Sequence, residues 1–235
     1  MEFLSAAILK KEFKVEASFY QIKVGNKKYQ CRNNAVIMRH DFSRDDQPDA
    51  VIVMANPGSC SPSENSYVAP VVQGTITNIE YVSVADDQTQ QQLMRLMKLM
   101  DWNVISIINL SDLCTGKMDK FGEVLNELEG YNFKSHSIFS EDRNEEREKL
   151  FNDTNSKLIL AWGGNSIIRE LACYALTKLP EERLVYGLPG TSKWEFRHPF
   201  PRIKSRCEAW LKDMVEQLKD SDSKSQIAAT KDCNK

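Results

Sequence analysis

A chain of 235 residues, 41% apolar and 27% charged, can bury one good-sized core and has the mix of an ordinary globular protein, which excludes fibrous and compositionally disordered classes. No apolar run approaches the ~20 residues of a membrane span, and six cysteines without a C-x-x-C pair, beside only three histidines, argue against zinc or an iron–sulfur cluster. The net charge of −2 hides an asymmetry: residues 1–44 carry nine Lys/Arg against four Asp/Glu, residues 193–206 five against one, and residues 141–153 lean acidic, six against three.

If the two basic segments meet in space they make a local positive face; the plain alternative is charge scattered in solvent. The start, MEFLSAAILKKEF, lacks a basic opening and a cleavage site, so no signal peptide is expected. Scattered, unpaired cysteines suit reduced thiols and a cytoplasmic location.

In chain order, residues 1–48 form a lead-in packed on the main domain, with FYQIKVGNKKYQCR alternating around a Gly25-Asn26 turn signal. Val51-Ile52-Val53-Met54-Ala55 is a fully buried strand that stops abruptly at Asn56-Pro57-Gly58. Residues 89–101 make an amphipathic helix, with Thr89 as N-cap and Leu93, Leu96, Met97 and Met100 as its apolar stripe. Trp102 precedes a second buried strand, residues 104–108. Residues 118–153 read as a helix and an acidic surface segment. The run Leu158–Trp162, closed by Gly163-Gly164, is a third buried strand, followed by a helix with Ile168, Leu171, Ala172 and Ala175 on one side. A short strand around residues 184–187, the loop LPGTSKWEFRHPFP and a last helix over 203–218 complete the domain, 49–219. The polar stretch from Asp220 onward, 220–235, reads as a disordered tail.

Apolar runs alternating with helices predict an α/β fold: three layers, α/β/α, around a mostly parallel central sheet of about four strands. In such folds the working residues lie just past the carboxyl ends of the strands, which singles out Asn56, Asn109 and the loop before His198. Phosphate-binding motifs are absent: there is no G-x-x-x-x-G-K-[ST], and Gly163-Gly164 lacks the G-x-G-x-x-G spacing. Ser59 and Ser61 do not sit in a G-x-S-x-G elbow, and a Cys60–His198 dyad is a weak reading, since a thiol in this setting is more often a small buried residue. What remains is two strand-end amides and one histidine inside an Arg/Lys-rich His-Pro-Phe-Pro loop. Their plain alternatives are a turn residue for Asn56, a cap for Asn109 and a hydrogen-bonded loop histidine for His198.

In this order the motifs resemble the uracil-DNA glycosylase superfamily over roughly residues 50–215. Asn56-Pro57-Gly58 is similar to the first motif of its mismatch-specific branch, where Asn and Pro-Gly replace the Asp-Pro-Tyr of the main branch. Ile107-Ile108-Asn109-Leu110 resembles the strand whose terminal asparagine reads the flipped base. Leu158–Gly163 resembles the apolar strand ending in Trp-Gly, and His198-Pro199-Phe200-Pro201-Arg202 the closing His-Pro-Ser-Pro, with Phe200 where serine is usual. Asn56-Pro57, Asp87-Gln88-Thr89, Asn109-Leu110, the Trp-Gly strand and the His-Pro close also resemble the bacterial family known as domain of unknown function 1643.

The resemblance implies a DNA glycosylase that flips a damaged, mismatched or C5-modified pyrimidine and hydrolyses its N-glycosidic bond, in repair or in defence against phage, without a cofactor or metal and as a monomer on DNA. Asn56 cannot take a proton but can hold a water and steady the sugar. His198 would donate to the departing base, and Asn109 would meet the base edge. Pro57, Gly58, Ser59 and Tyr67 would surround the base. Gly58 leaves room beside C5, where the main branch has a tyrosine, unless Tyr67 or Phe200 fills it. The basic loop, through Lys193, Arg197, Arg202 and Lys204, would hold phosphates, and Pro199-Phe200-Pro201 would wedge into the minor groove. The rival expectation is a non-catalytic binder of nucleotides or modified nucleic acid on the same scaffold.

Overall fold

The computed structural model describes residues 3–73, 76, 79–151 and 155–220. Its centre is a mixed sheet of eight strands. Four pair in parallel: β3 (Ala50–Met54) lies between β6 (Val104–Asn109) and β7 (Lys157–Leu160), and β7 carries β8 (Val185–Tyr186). The other four pair antiparallel except at one edge, where the short β4 (Val71–Val72) runs parallel to β1 (Phe13–Val24). Among them β1 and β2 (Lys27–Arg39) are joined by a two-residue turn, with Gly25 at φ +59°, the left-handed backbone such a turn requires. β2 pairs with β6, and β4 and the short β5 (Tyr81–Ser83) edge β1.

Among the described residues six α-helices cover the faces: α1 (Ala6–Glu12), α2 (Gln88–Met100), α3 (Met118–Gly130), α4 (Asn144–Phe151), α5 (Arg169–Thr177) and α6 (Lys204–Lys219). The strand alternation assigns them to two layers. Ala50, Ile52 and Met54 point into one core with Leu93, Met97, Trp210 and Met214 of α2 and α6. Val51 and Val53 point into the other with Phe121, Leu128, Phe151, Ala172 and Leu176 of α3, α4 and α5. A strand buried on both faces must read as a continuous apolar run, which is why β3, β6 and β7 are so plain in the sequence.

The α/β class and a mostly parallel sheet are therefore present, but the sheet has eight strands rather than four. The four expected strands are its parallel half. The hairpin is built into the sheet rather than packed on it, since β2 hydrogen-bonds to β6 from Ala35↔Ile107 to Met38↔Val104. Thr89 is not the N-cap of α2. Asp87 is: its carboxylate accepts from the Gln90 amide (2.8 Å) while Gln90 Oε1 accepts from the Asp87 amide (2.9 Å). A cap at Thr89 would place Gln92 at the matching position, and that side chain is buried, donating to the Cys207 carbonyl (2.9 Å). The acidic segment 141–153 is not wholly surface either: α4 and the single turn before it bury Arg143, Arg147 and Phe151. The tail expectation falls on residues 221–235, outside the described residues.

Candidate functional site

β3 and β6 are parallel and in register, so their carboxyl ends lie side by side, with Met54 opposite Asn109. Beyond the strands the pairing continues: the Leu110 amide donates to the Met54 carbonyl (2.8 Å) and the Ser111 amide to that of Ala55 (3.2 Å). At this rim a cleft of about 520 Å³ opens under the N-terminus of α2. It gathers Asn56, Pro57, Gly58 and Ser59 from the end of β3, Asn109 from β6, and His198, Phe200 and Arg202 from the His-Pro loop. Segments more than 80 residues apart in sequence converge there.

Asn56 is fixed by its amide nitrogen, which donates to the Thr115 carbonyl (2.8 Å) and lies near Thr115 Oγ1 (3.2 Å) and the Leu113 carbonyl (3.4 Å). That leaves Oδ1 as the acceptor the residue offers the cleft. Asn109 is fully buried, and its neighbours admit one orientation of its amide: Nδ2 donates to the Asn56 backbone carbonyl (3.3 Å) and Oδ1 accepts from Arg32 Nη2 (3.2 Å). Both ends of the amide thus have protein partners. Asn109 links Arg32 of β2 to the chain just past β3 at the cleft floor.

The His-Pro loop is tethered residue by residue. Gly163, just past β7, donates to the Phe196 carbonyl (2.7 Å), Arg197 donates through its amide to Leu188 (2.7 Å), and Trp210 Nε1 donates to the Arg197 carbonyl (3.0 Å). Trp162 packs edge-on against Phe196, with centroids 5.2 Å apart and planes at 87°, and its indole N–H donates to the Trp194 carbonyl (2.8 Å). The two tryptophans are core residues, and their N–H groups also fix the loop. His198 follows these anchors. The Phe200 amide donates to its Nδ1 (3.1 Å), which puts the proton of the neutral ring on Nε2. Burial lowers the affinity of this imidazole for a second proton, an effect only partly offset by the Phe200 carbonyl 3.3 Å from Nδ1 and by the Asp87 charge.

Gly58 adopts φ +67°, and nothing lies within 4 Å of where a Cβ would be, so the space beside it is open. Tyr67 does not fill that space: it packs into the α2/α6 core with its hydroxyl donating to the Phe19 carbonyl (3.4 Å), away from the cleft. Of the residues expected on phosphates, Arg202 lines the cleft, as does Phe200 of the expected wedge; Pro199, Pro201, Lys193 and Lys204 do not. Pro199 is buried, which removes it from a wedge. Arg197 faces α6 and pairs with Asp213 (2.8 Å), and Lys204 is drawn toward Glu208 (3.8 Å) and the Phe3 ring.

Three charged cleft residues escaped the sequence reading as site residues. Asp86 and Asp87 lie at the start of α2; Asp86 pairs with Lys10 (3.1 Å). Arg32, in the middle of β2, lines the cleft while only 4% exposed. Asp87 was visible as part of Asp-Gln-Thr ahead of an apolar stripe. Arg32 carried no signal, because alternation in a hairpin does not tell which face meets the site. Among the described residues no group of three or more His, Cys, Asp or Glu could hold a metal, and no helix is long and apolar enough to cross a membrane.

Fold and site together define an α/β protein with a polar cleft at the carboxyl ends of its parallel strands. No family model matches the chain, and no curated protein matches it. Among solved structures it is similar to a mutant of the feruloyl esterase module from Clostridium thermocellum complexed with sinapinate, with 8% identity and a TM-score of 0.32 over 90% of this chain and 66% of that one. A structure of FAE is similar at 8% identity and TM-score 0.32, over 95% of this chain and 68% of that one. The chain thus spans about two thirds of the length of these structures, and at that similarity neither carries an argument about its fold or activity.

Proposed function

We propose that the protein is a DNA glycosylase acting on a flipped pyrimidine with a C5 substituent or in a mismatch. The observation that carries this is the convergence of Asn56, His198 and the open Gly58 corner in one cleft at the strand ends. Cleavage of an N-glycosidic bond builds positive charge on the sugar and negative charge on the departing base. Asn56 Oδ1, oriented by the bonds to its Nδ2, accepts from the attacking water and sets a negative dipole against the sugar. His198, neutral with its proton on Nε2, donates to an oxygen of the leaving base. The unfilled space at Gly58 accommodates a substituent that an aromatic side chain would exclude.

The test is incubation with oligonucleotides bearing uracil, mismatched or 5-substituted pyrimidines, followed by alkali to break abasic sites. Strand breaks at the modified base are expected, lost in Asn56→Ala with DNA binding kept within a few-fold. Full activity of Asn56→Ala, or no breaks with any base, overturns the assignment. A second reading, a non-catalytic binder of modified nucleic acid, is favoured by the occupied amide of Asn109 and by the engagement of both cleft carboxylates among the described residues: Asp86 pairs with Lys10 and Asp87 caps α2. Binding without breaks distinguishes it.

A further inference from the structure

Arg32 lies at the floor of the cleft. It is 4% exposed, it lines the cleft, and its side chain has one hydrogen-bond partner, Asn109 Oδ1, a neutral acceptor. Its Nε is buried with no partner, and it forms no ion pair among the described residues. A buried guanidinium without a counter-charge is costly, and proteins retain one where something supplies the charge. Of the other buried arginines, Arg143 has Asp112 at 2.6 Å and Glu146 at 2.8 Å, while Arg95 and Arg147, without a carboxylate partner among the described residues, are each met by two or more neutral oxygens. Arg32 differs from all three in having a single neutral acceptor and a partnerless Nε while facing a cavity.

We propose that Arg32 forms an oxyanion subsite at the cleft floor, taking one planar anionic group, a carboxylate or the ring oxygen of a deprotonated pyrimidine. Burial sets the order of charge along the cleft: Arg32 at the floor, exposed Asp87 and Arg202, of opposite sign, at the mouth. A ligand with its negative end inward fits that order. The planar fork of a guanidinium matches planar oxyanions, and Met54, Leu93 and Ile107 give the cleft apolar walls for a flat ring. Asn109 then has a defined role: it holds Arg32 Nη2 and braces the fork. The subsite stands whether or not the ring belongs to DNA.

Calorimetric titration of the intact protein with benzoate, barbiturate (a pyrimidine anionic at neutral pH), uracil and inorganic phosphate tests it. Benzoate or barbiturate is expected to bind at least tenfold more tightly than uracil or phosphate, and which of the two wins identifies a carboxylate or a ring oxyanion as the source. Arg32→Gln should lose at least tenfold and Arg32→Lys less. Uracil or phosphate binding as well as the planar anions, or Arg32→Gln binding like wild type, overturns the subsite. Should the variants fail to fold, the Arg32 Nε–H resonance of wild type decides: it shifts on adding the tighter planar anion, and an unmoved resonance is fatal to the idea. Oligonucleotide cleavage is a separate readout, so either proposal can fail without the other.

Discussion

Asn56 is held by its nitrogen, and that explains why an asparagine rather than an aspartate stands at the end of β3. Three oxygens, those of Leu113, Thr115 and the Thr115 hydroxyl, converge on Nδ2. A carboxylate there would face two carbonyls with no proton to give them. Asn56→Asp is therefore expected to destabilise by about 1–3 kcal/mol in denaturant unfolding, the cost of unsatisfied buried groups, and to take up a proton above the usual carboxylate range. Under the proposed excision, the substitution should not raise the rate. A variant as stable as wild type with a higher rate would show that Nδ2 is not needed as a donor. For His198 the expectation is spectroscopic: its imidazole should titrate below the ordinary histidine midpoint in an NMR pH series, because burial disfavours the cation. His198→Ala should slow turnover by ~10²–10³, as when a preorganised donor is removed.

Among the elements, the stretch from β8 to the His-Pro loop transmits packing to the site. Gly187 leaves β8 where an added Cβ would lie 2.6 Å from Phe196 Cδ1 and 2.8 Å from the Leu160 carbonyl. Backbone cannot yield, so Phe196 would have to move, and Phe196 carries the Trp162 contact and accepts from Gly163. Gly187→Ala is expected to cost about 1–3 kcal/mol in thermal or chemical unfolding and to loosen His198; an unchanged melting temperature would mean the loop is not held from beneath. How much of this was legible depended on range. β3, β6 and β7 announce themselves because burial on both faces demands unbroken apolar runs. The rule that function sits at carboxyl ends then found Asn56 and His198, which do share a cleft. The hairpin's turn was visible, but its pairing with β6 was not, since nothing in residues 27–39 names a partner seventy residues on. For the same reason the partners of Asn109 and the route of Tyr67 into the core were illegible: each is a tertiary contact with no local pattern.

At the scale of the whole molecule, one buried polar network stands behind the cleft and couples its stability to pH. Asp112 accepts from Arg143 (2.6 Å) and from the Tyr20 hydroxyl (2.7 Å), while its backbone carbonyl accepts from the Arg32 amide (2.8 Å) and its amide donates to the His136 carbonyl (2.7 Å). His136 Nδ1 meets Ser111 Oγ at 2.9 Å. The network thus holds the segment 109–115, which supplies Asn109 and the carbonyls that fix Asn56. Burial first, and the Arg143 cation second, push the His136 imidazole down to about 4 from its ordinary 6.5. Burial pushes Asp112 up to about 6 from 3.8, against the opposing pull of Arg143 and Tyr20. The signs differ. Between about 6.5 and 4 the unfolded chain holds a proton on His136 that the folded chain does not, so this part of the stability is lost as pH falls through that window. Between about 3.8 and 6 the folded chain keeps a proton on Asp112 that the unfolded chain has released, so that part grows as pH falls. The two contributions are opposite in sign over overlapping ranges. His136→Gln removes one side of the balance. Relative to wild type, the variant is expected to gain stability steadily as the pH falls from 6.5 to 4.5, at up to about 1.4 kcal/mol per pH unit. Denaturant unfolding of both proteins across that range measures the difference directly. Parallel profiles would mean that His136 titrates in the folded protein as it does in the unfolded chain, and that the network leaves room for its charge.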